Sequence, residues 1–114
     1  MKHKATLPQL KKFDVTQKIV VILADVEARA IIFSMVRESM TASDLSQTLK
    51  IPLSSVYKKL SDLKDLGLID VEKNVLTKEG KKHKFYRSRI KDAEIVIKKF
   101  EPILTIHPNT KHRN

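Results

Sequence analysis

Ser54, Ser55, Tyr57, Lys58, Lys59 and Ser61 crowd hydroxyl, phenol and ammonium groups into one short stretch, and Lys81, Lys82, Lys84 and Arg87 form a second such group. Both groups donate hydrogen bonds and carry positive charge. Neither contains the parts of a bond-breaking site: no nucleophile sits beside a base, no carboxylates are paired, and no glycine-rich loop could cradle a phosphate. The histidines His3, His83, His107 and His112 are scattered. His107 and His112 could recruit Asp92 or Glu101 to a metal, but their Pro- and Asn-containing surroundings read as an unstructured pair. With no cysteine in the chain, thiolate ligands and disulfides are excluded. Catalysis, a bound metal and a cofactor are therefore not expected, and no small-molecule effector can be identified.

The net charge of +10 is concentrated in two places. Residues 1–12 hold Lys2, Lys4, Lys11 and Lys12 without an acid; residues 78–91 hold Lys78, Lys81, Lys82, Lys84, Arg87, Arg89 and Lys91 against Glu79 alone. These two segments carry the whole excess. A solvated basic face competes as an explanation, but such clustering suits a polyanion, because each cation near a phosphate releases a condensed counterion. The longest apolar run, Ile19 to Ala24, is far short of the ~20 residues that span a bilayer. No membrane contact and a cytoplasmic location are expected.

The elements around these groups follow from periodicity and caps. Val15, Ile19, Ile22 and Leu23 have helical spacing, favouring a helix over 14–23, although the β-branched run Ile19 to Ile22 also permits a strand. Asp25 can cap a helix whose apolar stripe is Ala28, Ile31, Ile32, Met35 and Val36. Thr41 and Asp44 have capping-box spacing, opening a short helix that runs out at Lys50-Ile51-Pro52. Proline suits the opening of the next helix, about Leu53 to Leu66, and so tight a junction makes a helix-turn-helix. Val56, Leu60 and Leu63 face one side of that helix, whereas Ser54, Lys58 and Ser61 face the other. Gly67 stops it. Ile69, Val71 and Val75 alternate with polar residues, Lys78 to Lys81 turns, and His83, Phe85 and Arg87 alternate again, giving a hairpin with a basic tip. From Ile90 onward, Ala93, Ile97, Phe100 and Leu104 keep a three-four spacing, so the expectation is a helix that Pro102 ends or kinks.

The order helix, helix, turn, helix, basic hairpin, helix resembles the winged helix-turn-helix of ArsR-type regulators, especially cysteine-free archaeal members, over roughly Leu23 to Phe100. Leu23-Ala24-Asp25 with Arg29 and Ile32 is similar to that family's opening, with Val26 in place of its proline. Ile51 to Leu60 resembles the recognition helix, Leu63-x-x-Leu66-Gly67-Leu68-Ile69 its exit, and Thr77 to Arg87 the wing. Lys50 stands where the family often has glycine, implying either ~1 to 2 kcal/mol for a left-handed residue or a different turn. The metal-sensing cysteines have no counterpart, so metal sensing is not implied.

The expected architecture is mainly α with a small β-hairpin. Its parts are a basic arm over 1–12, a winged helix-turn-helix over 13–89, a dimerisation helix over 90–104 and a flexible tail over 105–114. The resemblance and the charge together imply a homodimeric regulator of double-stranded DNA. Ser54, Ser55, Tyr57 and Lys58 would lie nearest base edges, with Ser61 beside them, Lys59 would hold the backbone, and Lys81, Lys82, Lys84 and Arg87 would meet phosphates. Ile90, Ala93, Ile97, Phe100 and Leu104 would form the dimer seam. Two other readings remain: a protein that coats DNA without preference, and a winged helix used for protein contact inside a transcription complex.

Overall fold

A computed structural model of the chain describes residues 14–110; the basic arm expected over 1–12 and the last residues, 111–114, lie outside them. The order is α1 (Val15–Ala24), α2 (Val26–Ser34), α3 (Ala42–Leu49), α4 (Leu53–Asp65), then β1 (Ile69–Leu76), β2 (Lys82–Ser88), β3 (Ile90–Lys98) and β4 (Glu101–Pro108).

The chain from 14 to 24 is helical because both its ends are fixed by aspartates. Asp14 accepts the Thr16 N–H at 2.9 Å. Asp25 ends α1 and starts α2, its carboxylate accepting the Ala28 N–H at 2.9 Å. Thr41 and Asp44 form the reciprocal capping box that their spacing predicts. Between α3 and α4, Lys50 takes the left-handed conformation at φ 59°, as expected for a residue standing in a glycine position. The turn is held by Ser46, whose hydroxyl donates to the Ile51 carbonyl at 2.6 Å while its own carbonyl accepts the Ile51 N–H at 3.2 Å. Gly67 at φ 75° closes α4: its N–H reaches Lys64 O, and the Leu68 N–H reaches Leu63 O, the paired bonds of a Schellman stop.

The core joins Ile19 and Leu23 of α1, Ile31 and Ile32 of α2, Leu45 of α3, and Val56, Leu60 and Leu63 of α4 to Leu68, Ile69, Tyr86 and Ile90. β1 and β2 pair antiparallel with a bulge at Glu72, and Met40 adds a bridge to Tyr86 through two backbone bonds. This is the winged helix-turn-helix that the sequence implies.

The C-terminal segment departs from expectation. Residues 90–104 are not a helix: β3 and β4 form a second antiparallel hairpin, with Ala93 opposite Ile106, Ile95 opposite Leu104 and Ile97 opposite Pro102. The expected tail is partly ordered too, since 105–108 belongs to β4 and Asn109 is buried. The three-four stripe passes over the period-two set Ala93, Ile95 and Ile97, which puts three apolar side chains on one face of a strand. The β-branched run Ile95-Val96-Ile97 and the β-branched Ile103, Thr105 and Ile106 favour that strand, and Pro102 removes a helical hydrogen bond. The expected seam is thereby split. Ile90 is buried in the core, Ala93 and Leu104 pack half-buried against it, and only Ile97 and Phe100 are freely exposed.

Candidate nucleic-acid interface

The buried residues of α4, Val56, Leu60 and Leu63, fix which side faces out. Ser54, Tyr57, Lys58 and Ser61 are exposed, and Ser55 is half-buried at the margin. No side chain caps the start of α4 at Pro52, so its first amides keep their donor capacity. Lys58 is 78% exposed and only loosely paired, 3.8 Å from Asp62.

The wing is shaped at its tip by Thr77, which takes the Gly80 N–H on its carbonyl at 3.0 Å and the Lys81 N–H on its hydroxyl at 3.1 Å. Gly80 supplies the required positive φ of 84°. Lys81, Lys82 and Lys84 are exposed, and Lys73 lies over the Phe85 ring, 4.8 Å from its centroid.

Helix and wing meet in a cleft of about 570 Å³. Tyr57 of α4 and Tyr86 form part of its wall, the start of α3 contributes Thr41, Ala42 and Ser43, and the wing contributes Lys81, Lys82, His83 and Lys84. No carboxylate lines it. Positive charge, hydroxyls and the amide end of α3 thus converge on one concave surface, which suits the backbone of a polyanion. Burial pushes the Tyr86 phenol up, with a smaller contribution from Tyr57, so Tyr86 stays neutral. The sequence reading missed Tyr86, His83 and the start of α3. The capping box did mark that helix start, but it is the Met40–Tyr86 bridge, invisible locally, that joins the α3 side of the cleft to the wing.

Two expected members of the site are committed elsewhere. Arg87 is buried: its guanidinium meets Glu72 at 3.0 Å and donates to the carbonyls of Val36 and Arg37. It clamps the wing to the end of α2, because inward alternation on β2 and the Glu72 bulge bring the two charges together. Lys59 turns inward, 3.0 Å from Asp25 and 3.9 Å from Glu27. The hydrogen bond from Lys59, and then that from Ala28, holds the Asp25 carboxyl below its ordinary value; the same bond raises Lys59. Lys59 therefore ties α4 to the α1–α2 corner. Arg89 likewise pairs with Asp70 at 2.7 Å.

Helix, turn, helix and basic wing around one cleft define a DNA-binding transcriptional regulator of the winged-helix class. The chain belongs to the TrmB family, described as "Sugar-specific transcriptional regulator TrmB", whose profile matches residues 23–89, more than half of the chain. That is a family of regulators, not enzymes. The fold is similar to that of reduced HlyU from Vibrio cholerae, at 17% identity and TM-score 0.55, over 73% of this chain and 81% of HlyU. It is similar also to NolR from Sinorhizobium fredii, at 16% identity and TM-score 0.57, over 76% of this chain and 81% of NolR. No curated protein is similar enough to match. Among the described residues no helix is long and apolar enough to cross a membrane, and no cluster of His, Asp or Glu could hold a metal ion.

Proposed function

We propose that the chain reads a specific double-stranded DNA site as a homodimer, in the manner of the ArsR-type regulators its motifs resemble. The first half of α4 enters the major groove, with Ser54, Tyr57 and Lys58 nearest base edges and Ser55 and Ser61 flanking them. Lys81, Lys82 and Lys84 hold phosphates beside it. The observation that carries this reading is the shared cleft, where the exposed face of α4 and the wing lysines border one carboxylate-free surface. Asp62 and Asp65 lie in the second half of α4 and line a separate hollow against α1. A phosphate backbone is repelled there, which tilts the helix so that its first half goes deepest. Two-fold pairing then sets two such helices ~34 to 36 Å apart, on successive turns of the duplex.

Gel shifts with a selected cognate duplex and a scrambled one test this. Tyr57→Ala and Lys58→Ala should each lower the preference for cognate DNA by ~1 to 3 kcal/mol while leaving the fold intact. Equal binding to both duplexes by the unaltered protein would show a DNA-coating protein instead. No binding to either at modest salt would favour the protein-contact reading.

A further inference from the structure

The second hairpin is written to be covered along its whole length, yet the domain covers only its base. Residues directly opposite each other share a face of a two-stranded sheet. The inner face is apolar throughout: Ala93 and Ile106, then Ile95 and Leu104, then Ile97 and Pro102. Ala93, Leu104 and Ile106 pack half-buried on the core, but Ile95 is 39% exposed and Ile97 65%. The outer face carries Asp92, His107, Glu94, Thr105, Lys98 and Glu101, with only Val96 and Ile103 apolar.

The two free edges of this hairpin differ. Pro102 has no N–H, so its position opposite Ile97 is one where the backbone groups point away from the partner strand. Residues of that parity face the free edges: Ala93, Ile95 and Ile97 on β3, and Pro102, Leu104 and Ile106 on β4. Pro102 and Pro108 blunt the β4 edge, as prolines do where a sheet must not grow. The β3 edge has no proline, and the exposed run Ile95-Val96-Ile97 near its tip is flanked by Glu94 and Lys98. Left open, it is a template for another strand.

We propose that two copies meet along this β3 edge, joining their hairpins into one four-stranded antiparallel sheet about a two-fold axis at Val96. The proposal rests on the homodimer reading and gives it a surface. A second copy is the occupant that the residues select, because the edge is self-complementary. With Val96 opposite Val96 of the second copy, Ile95 falls opposite Ile97 on the inner face, and Glu94 falls opposite Lys98 on the outer face, each twice by symmetry. The axis is perpendicular to the sheet, so both domains lie on its inner side and each exposed tip gains an aliphatic neighbour from the other copy.

The chain has no cysteine, so single cysteines report the geometry directly. Opposed Val96 residues form a non-hydrogen-bonded pair with Cα atoms ~4.5 Å apart, within disulfide reach. Full-length Val96→Cys should therefore cross-link to a covalent dimer under mild oxidation, while Ile103→Cys, on the far strand, should stay uncrosslinked. Glu94→Lys should weaken the dimer roughly tenfold in sedimentation equilibrium, by turning two attractive pairs repulsive. Ile103→Cys linking as readily as Val96→Cys would mean face-to-face packing and overturn the proposal. An unaltered protein that sediments as a dimer while Val96→Cys fails to link would also overturn it, leaving the homodimer reading in place. An unaltered protein that is monomeric at tens of micromolar would overturn both.

Discussion

The two hairpins share a backbone plan and differ in how their exposed faces and their clamps are built. In β1–β2 the exposed tip is lysine-rich, and the base is clamped by Arg87 between Glu72 and the carbonyls of Val36 and Arg37. In β3–β4 the tip holds Lys98, Lys99 and Glu101 around the apolar Ile97 and Phe100, which are 65% and 67% exposed, and the clamp is a neutral amide: Asn109 donates to Val36 O at 2.9 Å and to Ser88 O at 2.8 Å. Both clamps close on Val36, the residue after the α2 cap. Lysines along a strand repel a neighbouring strand and attract phosphate; a β-branched edge whose flanking charges are of both signs invites another strand. Side-chain pattern, not strand geometry, therefore separates the wing proposed to face DNA from the hairpin proposed to pair with a second copy.

The sharpest way to break this comparison is at the charged clamp. Arg87→Met leaves the mostly buried Glu72 carboxylate unpaired and should cost about 3 kcal/mol of stability in urea unfolding. An effect below ~0.5 kcal/mol would return Arg87 to the ligand-facing set. The neutral clamp should matter less: Asn109→Ala takes the amide donor from the Ser88 carbonyl and one of two donors from the Val36 carbonyl, which keeps Arg87, and is expected to cost ~1 to 2 kcal/mol, read by the same titration.

Replacing Lys81, Lys82 and Lys84 with glutamine should leave stability within ~0.5 kcal/mol, since all three are exposed. Binding to every duplex should weaken together, with the salt slope shrinking by ~0.9 for each phosphate that is no longer neutralised. An unchanged slope in a filter-binding series would put these lysines in solvent. The smallest effect concerns the α4–α1 corner. Because Asp25 titrates below its ordinary value when folded, its contribution is present above the unfolded pKa of ~3.9 and is lost as pH falls through the folded value. Lys59→Met should move the Asp25 midpoint up toward the usual carboxylate range, followed by carbon-detected NMR, and should make the stability loss below pH ~4 shallower. A midpoint that does not move would assign the shift to the Ala28 amide alone.

What the sequence determined by itself is what short-range rules control. The aspartate and threonine caps, the glycine stop after α4 and the inward stripe Val56, Leu60 and Leu63 were all legible, because each needs only neighbours within a turn or two. The outward face of α4 and the basic tip of the wing followed from the same periodicities. Only the tertiary structure decided which cations are free. Arg87 and Lys59 look like their neighbours along the chain, yet meet Glu72 and Asp25 through contacts set by a strand bulge and a helix corner. The C-terminal segment is the other case. Its apolar residues fit a helix stripe and a strand face equally well, and the choice fell to Ile90, Ala93, Leu104 and Ile106 packing on a core built by distant residues, and to Asn109 finding carbonyls 21 and 73 positions away.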